Sequence, residues 1–453
     1  MAMGKRRPRQ ESLFITAEGL PKSAGHPFYQ KLNALLAEAD FDAWIERRCR
    51  QYYATDEQRG QPSIPPGVYF RMLLVGYFEG IDSQRGIAWR CADSLALRRF
   101  LGIALDENTP DPKTLSNTRR RLPVEVFDEV FQFVLAIAAE KQLLSGKTVG
   151  VDSTLLEANA AMKSIVRRDT GEDWKEYVTR LMHEEGVIEA DHEPSDEEIR
   201  RYDKQRKNKR VSNDEWVSPN DPDARIAQMK DGRTHLAYKA EHVVDLNSDV
   251  ILAAEVYTAD QADTATLVDS VIEAAVNIEQ AGSETPIEEV AADKGYHAAG
   301  TIELAESLDL RTYIAEPKRP HRSRWTDKPA ELKRAVEANR RRLKRAKGRR
   351  LQRWRSERVE RTFAHVCDTG GMRRSWLKGL MDVTKRYRLA AAAHNLGRIL
   401  FKLFGIGKPR RLQDLGALAA LVQLIIACHI VLNSRPQRRA TTRISAPPLV
   451  TAA

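Results

Sequence analysis

The chain has 453 residues, 42% of them hydrophobic and 30% charged, enough for two or three domains and at least one sizeable core. That balance excludes a disordered chain and reads as soluble and globular. The net charge of +10 and a pI of about 9.3 point to a polyanionic partner, nucleic acid being the usual one and an anionic membrane surface its competitor.

The four cysteines, Cys49, Cys91, Cys367 and Cys428, form no CxxC pair and no zinc-ligand spacing. They read as small buried residues of a reduced, intracellular protein. Residues 1–25 open on MAMGKRRPRQ, basic and without an apolar signal core behind it, so a flexible N-terminus and a cytoplasmic protein are expected. Residues 415–432 (LGALAALVQLIIACHIVL) run 18 residues without a charge, the lower limit for crossing a bilayer. Gln423 and His429 interrupt the run, which favours a helix packed on a core; a membrane span and a non-native tail are the alternatives. Residues 406–453 thus read as an apolar helix followed by a disordered tail.

Residues 26–145 read as a helical domain. One helix covers 66–80, with Pro66 near its start and Gly80 near its end, and another covers 83–101. Asp111 and Pro112 open a short helix that displays Arg119, Arg120 and Arg121 and stops before Pro123. Residues 124–141 follow with apolar residues at helical spacing. At 148–152 the pattern changes: TVGVD is a short apolar strand ending on an acid. Residues 161–232 are a charge-dense insertion, partly helical and largely solvated. Strands at 235–245 and 249–257 flank a hairpin turn near Asn247. A helix at 261–279, a strand at 287–293 ending on a second acid, a helix at 299–308 and a strand at 311–315 complete a β-β-β-α-β-α-β run. This is an α/β domain with a mixed sheet over 146–405. From Lys333 to Arg361, 14 of 29 residues are Lys or Arg, and they lead into a helix at 355–366 with further helices to about 404.

No Walker loop, GxGxxG, HExxH or GxSxG is present. The remaining candidates are carboxylates. Asp152 and Asp293 each sit at or just past the end of a short apolar strand, where sites of α/β sheets assemble. A carboxylate there needs a cation or hydrogen bonds, and neither residue has an obvious dedicated arginine partner. Two such acids suit hard divalent cations such as magnesium, and two ions about 4 Å apart can promote phosphodiester cleavage. The simpler alternative is that each acid caps the next turn.

Several ordered blocks resemble insertion-sequence transposases of the DDE type, whose catalytic core is ribonuclease-H-like. PPGVYFRMLLVGYFEGIDSQRGIAWRCADSLALRRFLGI and PDPKTLSNTRRRL resemble their helical N-terminal domain. GVDSTLLEANA resembles the first catalytic block, ADKGYH the second and RSERVERTFAH the helix of the catalytic Glu; SPNDPDARIAQMKDGRTHLAYKAEHVVD and HNLGRIL resemble intervening and following segments. The blocks span about residues 60–405. The resemblance implies a ribonuclease-H-like mixed sheet flanked by helices, preceded by an all-helical domain and followed by C-terminal helices. It implies Asp152, Asp293 and Glu360 as catalytic acids holding two magnesium ions, with manganese as a substitute. Glu357, one helical turn away, is the rival third acid.

The same resemblance implies double-stranded DNA as partner, both terminal inverted repeats and target, and a homodimer or larger assembly on it. No membrane role is implied, and the protein would be nucleoid-associated when bound to DNA. Cleavage would free a 3′-hydroxyl that then attacks target DNA. An inactive transposase-derived DNA-binding protein and a nuclease without strand transfer are the rivals. The chain departs from the family at Ser356, where an Arg often stands, and at Cys367, where a Lys often stands; Lys378, Arg373 or Arg374 are possible replacements. Lys294, Arg355, Arg358, Arg361, Arg373 and Arg374 are candidate DNA contacts, and Tyr296 reads as packed. Helix 111–121 is either half of a helix-turn-helix, and then the better reader of terminal repeats, or an ordinary surface helix. The 333–361 run would meet the DNA backbone.

Overall fold

A computed structural model of the chain describes residues 26–53, 63–189, 191–207, 211–318, 325 and 328–409. The expectations for 1–25, for the apolar run at 415–432 and for the tail behind it fall outside these residues.

Seven helices come first: α1 (Pro27–Glu38), α2 (Phe41–Cys49), α3 (Pro66–Glu79), α4 (Gln84–Ala92), α5 (Leu95–Leu101), α6 (Pro112–Arg121) and α7 (Val124–Glu140). The run expected as one helix over 83–101 is two. The Ser83 hydroxyl caps α4 by accepting from the Gly86 amide, and Ser94 restarts the chain as α5 by accepting from the Leu97 amide. The Asp111 carboxylate accepts from the Thr114 amide at 2.6 Å and starts α6 as its sequence suggests. In α7, Val126, Phe127, Val130, Phe131, Val134 and Leu135 line one buried stripe.

The sheet begins with β1 (Thr148–Glu157). It runs five residues beyond the expected TVGVD, because TLLE continues the alternation and pairs onward with the next long strand. Asp152 therefore lies in the middle of a ten-residue strand, not at its end. The insertion supplies β2 (Val166–Arg167), α8 (Trp174–Glu184), α9 (Asp196–Gln205), β3 (Trp216–Val217) and β4 (Arg225–Gln228). It is partly helical as expected, but it is not merely solvated. Val178, Met182 and Ile199 form a small core of their own, covered by Trp174, Tyr177, Ile188 and Tyr202. Both of its helices start with reciprocal capping boxes, at Asp173/Glu176 and Ser195/Glu198.

The chain continues through β5 (Thr234–Asp245), β6 (Ile251–Thr258), α10 (Asp263–Gln280), β7 (Glu289–Ala292), α11 (Ala299–Ser307), β8 (Arg311–Ile314), α12 (Ala330–Lys344), α13 (Ala346–Phe363) and α14 (Leu380–Phe404). The spatial order is β6-β5-β1-β7-β8, with β4 beside the start of β5. β5 is antiparallel to β1 and β6, whereas β7 is parallel to β1 and β8. This is a ribonuclease-H-like mixed sheet, with helices before and after it. Side chains alternate across a strand, so Gly150 and Asp152 share one face of β1 and Ser153 takes the other. A Cβ on Gly150 would meet Val359 and Arg355, which places α13 over the Asp152 face. The Ser153 hydroxyl bonds to Asp263 at the head of α10, on the opposite face.

Candidate active site

The three sequence-predicted acids come from three elements. Asp152 is held in β1 with His242 of β5 directly opposite. Its Oδ1 accepts from the Ser153 amide at 2.9 Å, and its Oδ2 accepts from Nη1 of Arg355 at 2.8 Å. The expectation that this acid lacks an arginine partner is therefore corrected: α13 runs over β1 and brings Arg355 onto it. Burial pushes the Asp152 carboxyl up to about 6; Arg355 and the Ser153 amide oppose that rise, and the charges of Asp293 and Glu360 add to it. Asp152 thus senses the charges of both other acids.

Asp293 stands just past β7, as its sequence suggests. It also performs the simple capping task, accepting from the Gly295 amide at 2.7 Å to open a 3-10 turn over Lys294–Tyr296. Lys294 is exposed, and Tyr296 is buried with its hydroxyl donating to Glu241 Oε2 at 2.8 Å. Glu360 is exposed on α13 and accepts from the Ser356 hydroxyl at 2.9 Å. Ser356, at the position where the resemblance expects Arg, thus orients the third acid. The rival Glu357 is taken by Arg361 at 2.6 Å, and Arg361 also lies 3.6 Å from Asp249.

The candidate DNA contacts divide into turned-in and exposed groups. Arg119 is turned inward, 3.3 Å from Asp382 and over the Trp376 ring. Arg120 is exposed; Arg121 is exposed too and rests on the Tyr53 ring. Arg358 stacks on Trp354, bonds the Leu246 carbonyl and lies 3.5 Å from Asp249. Arg373 reaches Thr154 at 3.0 Å and Asp368 at 2.9 Å, while Arg374 is exposed, 3.6 Å from Glu157. A cleft of ≈ 700 Å³ opens beside β1 just past Asp152, lined among others by Ser153, Thr154, Lys230, Lys239, Asp263 and Arg373. Cys367, where the resemblance expects Lys, is buried against Tyr387.

The basic run is less uniform than its composition suggests. Arg340 pairs with Glu316 at 2.6 Å, Arg342 with Glu306 and the Thr312 carbonyl, and Lys347 with Glu289 at 2.5 Å. Arg341, Lys344, Arg345, Arg349, Arg350 and Arg353 are exposed. Among the described residues, no carboxylate lies within ion-pair distance of these six.

The donor set suits a divalent cation in its chemistry. All three donors are carboxylates, and Asp152 already holds one positive group, the Arg355 guanidinium. Among the described residues, no three acidic, cysteine or histidine groups gather closely enough to hold an ion by themselves. A magnesium site with one or two carboxylates completes its shell with phosphate oxygens and water.

The sequence missed the contacts behind the acids. Lys239, Glu241 and Asp245 are fully or almost fully buried in β5. Three charged residues on one face of a largely apolar strand were the available signal.

Two family models match the chain. A Transposase domain (DUF772) matches residues 18–121, which include α1 to α6, and a Transposase DDE domain matches residues 317–400, which include Glu360 on α13. Asp152 and Asp293 lie between the two matched segments. No curated protein matches the chain. No described helix is long and apolar enough to cross a membrane. The two matches fall on the N-terminal helical blocks and on the helix of Glu360, and they indicate an insertion-sequence transposase of the DDE type.

Proposed function

We propose that this transposase cuts DNA at the ends of an insertion sequence and joins the freed 3′-hydroxyl to target DNA, with Asp152, Asp293 and Glu360 as the catalytic acids. The observation that carries the reading is the partly buried Asp152 carboxylate, raised by desolvation with smaller additions from the charges of Asp293 and Glu360, and answered by Arg355. Divalent ions, two magnesium ions in the fullest form of the proposal, would supply charge neutralisation at the reacting phosphate.

The protein's own groups do the rest. Asp152 and Asp293 offer fixed oxygens from a rigid strand and a capped turn. Glu360 closes the site from α13, oriented by Ser356. Arg355 has two anions to choose between, Asp152 and an arriving phosphate, and its planar fork suits either. Lys294, Arg373 and Arg374 flank the site as phosphate contacts. The exposed face of α12 and α13 tracks the DNA backbone, and α6 with Arg120 and Arg121 reads the terminal repeat. A dimer or larger assembly would pair the two ends.

The test is end cleavage and strand transfer with the full-length protein. Asp152→Ala should lower magnesium-dependent cleavage by at least about 1,000-fold while end binding persists. Wild-type protein that binds ends and never cuts them with magnesium would overturn the proposal. Cleavage without joining of pre-cut ends would reduce it to a nuclease.

A further inference from the structure

Behind the acids, on the α10 face of the sheet, lies a polar ring with no part in the reaction proposed above. Ser153 and Glu241 stand opposite each other in the β1–β5 ladder, with Lys239 two residues along the same face. The Ser153 hydroxyl donates to Asp263 Oδ1 at 2.9 Å, and Lys239 Nζ donates to the same oxygen at 3.2 Å. Lys239 also donates to the Thr266 hydroxyl at 2.8 Å, which in turn donates to Glu241 Oε2 at 2.9 Å. The Tyr296 hydroxyl meets that oxygen from the other side at 2.8 Å. Lys239, Glu241, Thr266 and Tyr296 are almost completely buried.

The ring has two ends, and each touches a segment that carries a proposed acid. Ser153 is the residue after Asp152. Tyr296 closes the turn that Asp293 opens. Asp263 also approaches that turn directly. A Cβ on Gly295 would lie 2.8 Å from Asp263 Oδ2 and 3.0 Å from Asp293 Oδ1, so glycine is what lets the two carboxylates face each other across it.

Burying Glu241 and Lys239, and partly burying Asp263, carries a desolvation cost that an apolar cluster of similar volume would avoid. What an apolar cluster lacks is direction. Hydrogen bonds of fixed length at both ends set the distance between β1 and the turn after β7, as supporting partners do around metal ligands.

We propose that Lys239, Glu241 and Asp263 are positioning residues of the active site, forming with Ser153, Thr266 and Tyr296 a buried brace that fixes the separation of Asp152 and Asp293. The proposal rests on the reading of those two acids as metal-holding residues. Its test separates the two ideas by measuring manganese binding, by the loss of the free-ion resonance, on full-length protein with and without end DNA. Wild type should bind manganese and Asp152→Ala should not. Tyr296→Phe and Glu241→Gln should each weaken binding by about 10-fold. They should also lower the cleavage rate with little change in the DNA concentration needed for half-maximal rate.

Thermal unfolding of the same variants gives the structural control. Tyr296→Phe removes one hydroxyl and keeps the ring, so it serves if Glu241→Gln does not fold. Lower thermal stability with unchanged manganese affinity in Tyr296→Phe would overturn the brace and leave the acids in place. Wild type that binds no manganese, even on DNA, would overturn the reading of the acids and the brace with it.

Discussion

Charge is handled in opposite ways in two regions of this transposase. Around β1 it is turned inward and answered: partly buried Asp152 by Arg355, and partly buried Asp263 and fully buried Glu241 by Lys239, each within 4 Å. Along α12 and α13 it is exposed and largely unanswered, with Arg341, Lys344, Arg345, Arg349, Arg350 and Arg353 facing solvent. The first arrangement gives fixed geometry at the expense of desolvation. The second gives a field that a polyanion can neutralise from outside. Glu360 lies on the boundary, an exposed acid on the same helix that carries the basic face.

That boundary position supplies the sharpest contrast. Glu360→Gln should lower magnesium-dependent cleavage by about 1,000-fold or more, because it removes one of the three proposed catalytic carboxylates. Glu357→Gln should stay within about threefold of wild type, since that carboxylate answers only Arg361. Equal losses in single-turnover assays would erase the distinction between the two acids.

The exposed region predicts an effect on affinity. Replacing Arg341, Lys344, Arg345 and Arg349 together with Gln should weaken DNA binding about 100-fold near physiological salt and reduce the salt slope by about 3 to 4. The loss should be the same for end and random sequences. A slope that stays at the wild-type value would mean that these side chains face away from DNA.

The buried region predicts a pH effect whose sign depends on two residues paired across the β1–β5 ladder. Burial lowers His242 to about 3, and its ring nitrogens sit 2.8 Å from Thr362 Oγ1 and Tyr387 Oη. As pH falls below the ordinary histidine range the unfolded chain takes up a proton that folded His242 refuses, so its contribution to stability is lost on acidification. Asp152 behaves in the reverse sense. Its folded carboxyl, raised to about 6, takes up a proton before the unfolded one does, so its contribution grows as pH falls from about 6 toward 4. The two nearly cancel in that window. Asp152→Asn should remove the cancellation and add a loss of up to about 1.4 kcal/mol per pH unit relative to wild type. Chemical denaturation at pH 6, 5 and 4 reads this directly, and parallel curves for the two proteins would refute the opposition.

Local patterns carried most of the fold into view. The β-β-β-α-β-α-β order, the hairpin at Asn247 and the acid after β7 all follow from short-range alternation and turn residues. Asp152 was misplaced within its strand because the apolar run stops at Val151, whereas the strand is extended by pairing with β5, a partner about 90 residues away in sequence. The split of 83–101 into α4 and α5 was legible in Ser94, an N-cap hidden inside a helical pattern. The Asp152–Arg355 pair spans 203 residues and has no local signature. The same is true of the brace, although the buried charges of β5 marked where to look.

The smallest effect tests whether pairing, and not position on the helix, separates the two regions. Arg340 and Arg342 sit on α12 among the exposed cations, yet Glu316 and Glu306 hold them. A cation already neutralised releases little counterion when DNA arrives, so Arg340→Gln should shift the salt slope by less than about 0.5, against roughly 1 for Arg341→Gln. Its stability effect should also be small, about 0.5 kcal/mol, as for an exposed pair. Arg342 is less exposed and also bonds the Thr312 carbonyl at 2.9 Å, so Arg342→Gln should destabilise more, by about 1–2 kcal/mol, without a larger change in DNA binding. If Arg340→Gln and Arg341→Gln reduce the slope equally, then DNA competes successfully for the carboxylate-bound arginines. The basic surface would then extend over the whole of α12, and the line between answered and unanswered charge would have to be drawn at β1 alone.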